Sequence, residues 1–476
     1  MPQFRPRSTF AWALALWAAP LVLAPTVAHA QGYQLNDIGA CAIARGYANT
    51  AAPCKDPSSI YWNPGATTEL PGFSLYVGAS AISVLGSFTS DQTGHQYNPN
   101  VPVVVPPSLF LNYTNSIGLH KYALGFGVYI PYGLISEWRA DFPGDFESQR
   151  SSLQTIYFQP NLAFDLIPKK LSIGGGPVIG TSTVDLQRHL DLSTELVPGG
   201  GGATFAQLGI ASGTEFGQLH AHASATAVGF NAGIHFTPTN NWSFGARYLS
   251  KLSFDYNNGT ANFNQIATNL VLAANNPLGL PGGTPIDAVL ASQGAFNKQG
   301  VTTAIPMPYQ LQIGGAYKGI SQTTVEVDWE LTGYSAFNKL PLTFQGSDSL
   351  NSRSLIEDYH DSWSIRSGIE HVFGDPVLGF TGRVGFSYIN TPAPDVTVTP
   401  LLPDADRYNY SIGFGFPFSR FIALDGGFVH VGTLGRRGRL VERSTVVNTD
   451  ATAAELNSGF YTLTANVFSL NLKFTY

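Results

Sequence analysis

The sequence predicts an all-β protein, a 14-stranded antiparallel transmembrane β-barrel with an N-terminal hatch (plug) inside the lumen. Three observations lead to this fold class. Many stretches alternate apolar with polar residues, as a strand between lipid and a lumen requires. Short and long links between these stretches alternate along the chain. Residues 31–71, which precede the first stretch, show no such alternation.

The composition argues against several other classes of protein. Of the 476 residues, 12% are charged, 12% are aromatic and 51 are glycine. The charged fraction is about half of that in soluble domains. With 25 Lys+Arg against 31 Asp+Glu, there is no basic excess to bind nucleic acid. The apolar content of 44% disfavours disorder, and no window after the N-terminus offers the ~20 apolar residues of a membrane helix.

Residues 1–30 have the parts of a secretory signal peptide in the usual order. Arg5 and Arg7 precede an apolar stretch at residues 10–27, and residues 28–30 read Ala-His-Ala, an A-x-A cleavage site. We therefore expect an exported protein whose mature chain begins at Gln31. A buried N-terminal helix is the alternative interpretation.

Fourteen stretches are candidate strands, and bacterial single-chain barrels have an even number of strands. The alternation runs without error through residues 325–331 and 468–476. The candidate strands start near Phe73, Ser108, Tyr122, Leu153, Leu171, Ala225, Trp242, Pro308, Thr323, Trp363, Phe380, Tyr408, Phe421 and Leu463.

The lengths of the links between these strands are the strongest evidence for an outer-membrane barrel. Short links alternate with long ones, as periplasmic turns alternate with extracellular loops in outer-membrane barrels. The short links are 167–170, 237–241, 318–322, 372–377 and 417–420, and the long ones include 185–224, 257–307, 332–362 and 431–462. We therefore predict a signal peptide (1–30), a hatch (31–71) and a barrel with long extracellular loops (72–476) in a Gram-negative outer membrane.

Several short motifs then occur in an order typical of one family. They are Gly32-Tyr33-Gln34-Leu35-Asn36, ARGYA at 44–48, Asn63-Pro64-Gly65, WELTGYS at 329–335 and PDADR at 403–407. In this order they resemble the FadL/TodX family (OMPP1/FadL/TodX) of outer-membrane channels for hydrophobic compounds. The first three resemble the family's hatch, although the family's Asn-Pro-Ala reads Asn-Pro-Gly here.

The resemblance implies a function and a route for the ligand. Long-chain fatty acids or aromatic or aliphatic hydrocarbons would bind in an extracellular apolar groove, pass the hatch and leave sideways at a kinked third strand. It also implies a monomer. The alternatives are a general diffusion porin and an outer-membrane phospholipase.

Apolar residues in two long loops are candidates for the ligand groove, because exposed apolar patches usually mark binding sites. The alternative is that these loops pack on each other and on the barrel rim. The candidates are Ile266, Leu270, Val271, Leu278, Leu280, Val289 and Leu290, faced by Phe205, Leu208 and Phe216.

The third strand contains two glycines at successive inward positions, Gly125 and Gly127, and Pro131 follows it. Glycine and proline weaken a strand and often mark a bend. We therefore predict a kink here, with ordinary barrel glycines as the alternative.

Charged residues also share the inward phase of three strands. We expect Glu326, Asp328, Glu330, Arg366, Glu370 and Arg383 to form salt bridges in the lumen, since unpaired buried charge is costly. Alternatively, Arg366 or Arg383 binds the carboxylate of a fatty acid.

Cys41 and Cys54 are the only cysteines, and both lie in the hatch. An exported protein meets an oxidising compartment, so we expect a disulfide, worth roughly 3 kcal/mol for a loop of this size. Metal ligation is the weaker alternative because no His or third Cys lies near.

No sequence feature indicates catalysis, a cofactor or a metal site. His220 and His222 share a phase, but we interpret them as loop residues with no carboxylate at ligand spacing. The expected partners are hydrophobic small molecules, outer-membrane lipid and lipopolysaccharide, and the barrel-assembly machinery, which would read the strand that ends at Tyr476.

Overall fold

The computed structural model of the chain describes residues 32–476 except 140, 147, 192, 194–196, 198–201, 212, 293–295, 346–352 and 439–457. The predicted signal peptide lies outside the described residues. None of the helices in the described part of the chain has the length and apolar character of a membrane span.

In the described residues, fourteen antiparallel strands form the wall, and three of them are each interrupted once. They are β1 (Phe73–Ser90), β3 (Pro107–Ile117), β4 with β5 (His120–Tyr129, Gly133–Glu137), β6 (Arg150–Ile167), β7 (Leu171–Leu190), β8 (Gly217–Thr239), β9 with β10 (Trp242–Leu249, Leu252–Gln265), β11 with β12 (Gln299–Met307, Gln310–Ile320), β13 (Thr323–Thr332), β16 (Ser362–Phe373), β17 (Phe380–Ile389), β18 (Arg407–Pro417), β19 (Ile422–Thr433) and β21 (Gly459–Thr475).

Short elements lie in the loops above the wall. They are the strands β2 (Gln96–Tyr97), β14 (Lys339–Phe344), β15 (Arg353–Ile356) and β20 (Arg436–Arg437), and 3-10 helices at Ala206–Leu208, Tyr334–Ala336 and Asp395–Thr397. One α-helix, Ile286–Ser292, lies in the loop between β10 and β11.

The first and last strands close the barrel. β1 pairs with β21 from Ser74↔Thr475 to Ser90↔Gly459, so the sheet closes on itself. The predicted fold class is confirmed. Three predicted strand starts lie well inside the wall strands, because these strands continue above the stretch that alternates in the manner of a lipid-facing wall. They are Ala225 in β8, Pro308 between β11 and β12, and Leu463 in β21.

The two faces of the wall are the reverse of those of a soluble protein. On β13, Val327 and Trp329 point outward and are exposed, whereas Glu326, Asp328 and Glu330 are 1% exposed inside. The outward face meets lipid, and the inward face meets the hatch, so alternation here separates lipid from polar lumen.

The hatch, residues 32–71, fills the lumen. It contains α1 (Ala40–Ala44), α2 (Ser59–Trp62) and a 3-10 helix (Pro64–Glu69), which α2 joins through Asn63. Tyr61 and Trp62 are fully buried and belong to one core with wall residues such as Tyr129. Full burial of an apolar side chain stabilises by about 2–3 kcal/mol, so the hatch is an integral part of the core.

Inward glycines let the hatch backbone approach the wall. A Cβ on Gly245 would overlap the carbonyl oxygen of Thr50, and a Cβ on Gly385 would overlap the backbone of Gly46. Gly427 is similarly covered by Ala40 and Gly174 by Pro64. Close backbone packing between hatch and wall thus explains these inward glycines.

Gly245→Val should displace the hatch at Thr50, because overpacking of this kind typically costs about 1–3 kcal/mol. We expect higher ion conductance in planar bilayers than for the unsubstituted protein. Gly315→Val is the matched control on the neighbouring strand, since a Cβ there meets only Phe244, at an ordinary 3.5 Å. Equal conductance of both variants would contradict this account of the glycines.

Candidate functional site

A row of carboxylates on β13 binds the hatch backbone. Glu326 Oε1 accepts hydrogen bonds from the N–H groups of Ala51 (2.6 Å) and Ala52 (3.0 Å). Asp328 Oδ2 accepts from the N–H groups of Asn49 (2.8 Å) and Thr50 (2.9 Å). Successive N–H groups that point at carboxylates are a strong, charge-assisted anchor.

Two arginines compensate the charge of this row. Arg45 of the hatch forms an ion pair with Glu326, and Arg366 of β16 forms one with Glu330. Glu330 Oε1 also accepts from Gln34 Nε2 of the hatch at 3.0 Å. All of these side chains are buried, so each charge depends on its partner.

The opposite side of the hatch is held by amides. Asn63 Nδ2 donates to the carbonyl oxygens of Thr50 (2.7 Å) and Ile234 (3.0 Å). Asn231 of β8 donates to the carbonyl oxygens of Ile60 and Tyr61 at 3.2 and 3.1 Å. The motif Asn63-Pro64-Gly65 therefore packs against β7 and β8, where Pro64 covers Gly174 and Gly65 lies against Gly233.

The wall is incomplete on one side. Below, β1 pairs with β3 up to Ala79↔Pro107. Above, its neighbour is the loop segment 96–106, which forms two pairs through β2 and one isolated bridge, Ile82↔Val104. In the described part of the chain, the ladder of β5 is made with β6 alone, and Pro99↔Trp138 is a single bridge at its end.

Prolines account for this gap. The loop segment contains Pro99, Pro102 and Pro106, and Pro107 begins β3 directly after it. Proline has no N–H to donate to a ladder. Pro131 lies in the interruption between β4 and β5.

The first residues of the hatch cross the interruption in the third strand. Leu35 N–H donates to Pro131 O at 2.9 Å, and Gly133 N–H donates to Tyr33 O at 2.9 Å. The hatch thus supplies the hydrogen bonds that a neighbouring strand would otherwise provide.

A lateral cavity of about 380 Å³ lies between the hatch and this gap. Its lining includes Leu35 of the hatch, Ile130 and Leu134 beside the interruption, and Val104 and Val105 of the loop segment. Val105 is 56% exposed, so the lining extends from the hatch to the outer surface of the wall.

A second, upper cavity of about 120 Å³ adjoins it. Tyr33, Val184, Ile305, Phe337 and Leu340 are among its lining residues. Leu134, Ser152, Leu153 and Leu402 line both cavities. The two cavities are therefore mostly apolar neighbours, one above and one beside the hatch, that share part of their lining.

A known protein family matches nearly the whole chain. The family described as outer membrane protein transport protein (OMPP1/FadL/TodX) matches residues 21–476. The chain belongs to this family. The resemblance seen in the sequence motifs and the outer-membrane location are thereby confirmed.

Known proteins resemble this OMPP1/FadL/TodX member over most of its length. The long-chain fatty acid transport protein of Escherichia coli (strain K12) is 23% identical, over 86% of this chain and 90% of its own. The crystal structure of a Pseudomonas aeruginosa FadL homologue matches with a TM-score of 0.75 at 19% identity, covering 94% of this chain and 100% of that one. The Ralstonia pickettii toluene transporter TbuX matches at 0.62 and 16%, covering 93% and 100%. The two structures share the fold.

Cys41 and Cys54 are joined by a disulfide within this member's hatch. Both residues are buried beside the ion-paired Arg45. Since their sulfurs are bonded to each other, the pair is not a metal site.

The arginines considered as partners for a ligand carboxylate are already paired. Arg366 is fully buried against Glu330, and Arg383 pairs with Glu370 at 2.7 Å and Asp425 at 2.6 Å. Protein carboxylates neutralise both guanidinium groups, so a ligand carboxylate would have to compete with these ion pairs. They are lumen salt bridges, the first of the two interpretations.

Of the three residues predicted to kink the third strand, Pro131 lies at an interruption and the two glycines do not. Gly125 and Gly127 lie inside the continuous part of β4, where a Cβ on Gly125 would meet Ile60 of the hatch and one on Gly127 would meet Phe110 of β3, each at 2.7 Å. The strand is interrupted at residues 130–132 around Pro131. Gly125 makes room for a hatch side chain and Gly127 for a wall side chain, while the proline lies at the interruption.

The expected open ligand groove is closed by mutual packing. Phe205, Leu208, Phe216, Val289 and Leu290 are buried in one core, with Leu270 and Leu278 packed against it. Of the remaining candidates, Val271 and Leu280 are exposed and Ile266 is half-buried, and none lines either cavity. Apolar residues in two long loops were the correct signal for burial, because two loops can cover each other.

The interpretation of two histidines as loop residues is wrong. His220 and His222 lie on β8, not in a loop, and Asp185 of β7 is paired directly opposite His222. His220 Nε2 lies 2.7 Å from Asp185 Oδ2. This carboxylate is distant in sequence, so only the strand register reveals it.

Sequence reasoning missed the pair Asp404 and Asp406 beside the path. Asp404 Oδ2 accepts from Gly32 N–H at 2.8 Å and lines the lateral cavity. Asp406 accepts from the Tyr388 hydroxyl at 2.6 Å and from Thr391 N–H at 2.8 Å. Burial raises the pKa of Asp406 to about 7. The PDADR motif was the available signal.

Removal of the hatch arginine should loosen its contact with β13. In Arg45→Met, Glu326 stays buried without a cation, and breaking a buried pair costs about 3–5 kcal/mol. We expect faster amide hydrogen exchange at residues 49–52. Lys55→Met, an exposed hatch cation, is the control and should exchange as the unsubstituted protein does. Unchanged exchange in Arg45→Met would refute the anchoring role.

Asp406 makes the stability of the 390–406 loop depend on pH. The pKa rises from an ordinary 3.8 to about 7 on folding, so the stabilisation is complete below pH 3.8 and is lost as the pH rises through 7. From pH 5 to pH 8, the melting temperature should therefore fall more for the unsubstituted protein than for Asp406→Asn. Asp141→Asn, at an exposed carboxylate, should follow the unsubstituted protein. Parallel pH profiles of the Asp406 variant and the unsubstituted protein would disprove this.

Proposed function

We propose that this protein takes up hydrophobic compounds, either long-chain fatty acids or aromatic or aliphatic hydrocarbons, across the outer membrane. One observation supports this most: two adjoining apolar cavities lead from above the hatch to a gap in the wall. The names of the E. coli fatty acid transporter and the R. pickettii toluene transporter agree with a ligand of this kind.

The ligand reaches the upper cavity first. Side chains such as Ile305, Phe337 and Leu340 offer it an apolar surface on the extracellular side of the hatch. Transfer of apolar area out of water gains roughly 25 cal/mol per Å². The closed loop core described above does not provide this surface, so the upper cavity replaces it as the proposed binding site.

The ligand then passes into the lateral cavity and leaves through the gap. Apart from the two pairs of β2, only isolated bridges join the loop segment 96–106 to the strands beside it, so few hydrogen bonds must open. The first residues of the hatch, which cover the interruption, are held there by two backbone hydrogen bonds. Lateral exit delivers an apolar molecule directly into lipid and avoids the periplasmic water.

The filled lumen favours this mechanism over a general porin. A buried ion pair joins the hatch to β13, and buried hydrogen bonds join it to β8 and β16. An aqueous path for sugars or ions would require these to break. The family consists of transport proteins, and we infer that this member is not an enzyme and needs no cofactor.

We also infer the setting in which the channel works. As a monomer, it would contact outer-membrane lipid through its outward apolar side chains and lipopolysaccharide through its extracellular loops. The exposed Tyr476 at the end of the closing strand would be available to the barrel-assembly machinery.

Filling the lateral cavity tests the route. Val104→Trp places an indole in the cavity, whereas Val103→Trp changes a 60% exposed neighbour outside its lining. In cells that lack their own channel of this type, we expect Val104→Trp to reduce uptake of labelled oleate or toluene at least tenfold. The control variant should retain uptake. Equal uptake by both variants would exclude exit through this cavity.

Native mass spectrometry with lipid extraction would identify the compound that co-purifies and so choose between fatty acids and hydrocarbons. Reconstitution separates the rival functions. Sugar and ion flux through liposomes would indicate a porin, and hydrolysis of their lipid would indicate a phospholipase.

A further inference from the structure

Three extracellular segments bring a histidine and two carboxylates together. His189 Nδ1, at the top of β7, lies 2.7 Å from Asp145 Oδ2 and 3.6 Å from Glu215 Oε1. Asp145 belongs to the loop between β5 and β6, and Glu215 to the segment just before β8. Ligand atoms of all three residues lie within 4.8 Å of one another.

The cluster is preorganised on its inner side and accessible on its outer side. The side chains of Asp145 and His189 are 5% and 12% exposed, and that of Glu215 is 46% exposed. His189 N–H donates to Asp145 O at 3.0 Å, which fixes the two backbones relative to each other. A small ion could therefore approach from the Glu215 side and meet ligands that are already in place.

The charges of the cluster favour a cation. One imidazole faces two carboxylates, so the group is negative whether or not the histidine carries a proton. Two carboxylate oxygens and one imidazole nitrogen are also a ligand set that suits a borderline ion such as Zn²⁺.

The distances match such an ion. With metal–ligand bonds of about 2.0–2.1 Å, neighbouring ligand atoms of a tetrahedral site lie about 3.3 Å apart. The 2.7 and 3.6 Å contacts bracket this value, so each of these two distances needs a shift of well under 1 Å, and the Asp145 and Glu215 oxygens lie within 4.8 Å of each other. Water would complete the shell on the exposed side.

We propose that Asp145, His189 and Glu215 form a binding site for a divalent transition metal of the Zn²⁺ type on the extracellular rim. The ion joins three chain segments that are distant in sequence. One of them carries Trp138, which stacks on Phe142 at 4.2 Å and lines the lateral cavity. Metal binding thus stiffens the loop that forms one edge of the ligand path.

Calorimetry with Zn²⁺ tests the site on the mature protein in detergent after treatment with a chelator. We expect one saturable site per chain. His189→Ala and Glu215→Gln should each weaken Zn²⁺ binding at least tenfold. Co²⁺ in place of Zn²⁺ should give the visible absorption of a tetrahedral site, and this absorption should be lost in both variants.

The nearby His220 and His222 supply the matched control. The double variant His220→Ala/His222→Ala should retain the full affinity, because these side chains contact Asp185 and not the cluster. Glu215 is half exposed, so Glu215→Gln tests the ligand role even if His189→Ala fails to fold. Absence of saturable binding, or binding lost in the double variant and kept in Glu215→Gln, would overturn the proposal.

Discussion

The contact between the carboxylates of β13 and the backbone of the hatch is the interaction on which the rest of the structure depends. Glu326 and Asp328 receive four N–H groups of residues 49–52. A buried carboxylate is costly unless it is paired and hydrogen-bonded. The wall therefore requires the hatch, and the hatch is positioned by the wall. Arg45 and Arg366 complete this arrangement through their ion pairs with Glu326 and Glu330.

Because the hatch fills the lumen, the way out for an apolar ligand is sideways through the wall. Straight passage is obstructed by the hatch, but the wall has a gap where prolines deprive the loop segment 96–106 of N–H donors. The gap and the hatch meet at residues 130–133, where the hatch itself provides the missing hydrogen bonds. The hatch thus closes the wall at the place where the wall has few hydrogen bonds of its own. The two cavities lie beside this place. A fold that seals the membrane to ions can in this way still offer a route to a hydrophobic compound.

The extracellular loops show a different physical principle. Two of them bury their apolar residues in a core of their own, away from the cavities, so their hydrophobicity serves loop packing. Polar clusters beside them, such as Asp145 with His189, join loops that are separated by tens of residues. Within the described residues, these contacts join parts of the rim to one another, and one of the joined loops reaches the lateral cavity through Trp138.

The sequence alone determined the barrel, its fourteen strands and the presence of an inner segment, because period-two alternation and loop lengths are local properties that a lipid boundary imposes directly. It also placed Glu326, Asp328 and Glu330 inward, since the phase of one strand orients all of its residues.

Only the tertiary structure decided which charges meet. Arg366 forms an ion pair with Glu330, and His220 lies beside Asp185. Gly125 faces Ile60 of the hatch. Each of these contacts joins residues that are distant in sequence or on different strands. It likewise showed that the apolar loop residues cover one another and that Pro131, not the glycines, interrupts the third strand. Strand register and hatch docking bring such residues together, and neither leaves a periodic signal in the chain, so they could not be derived from the sequence.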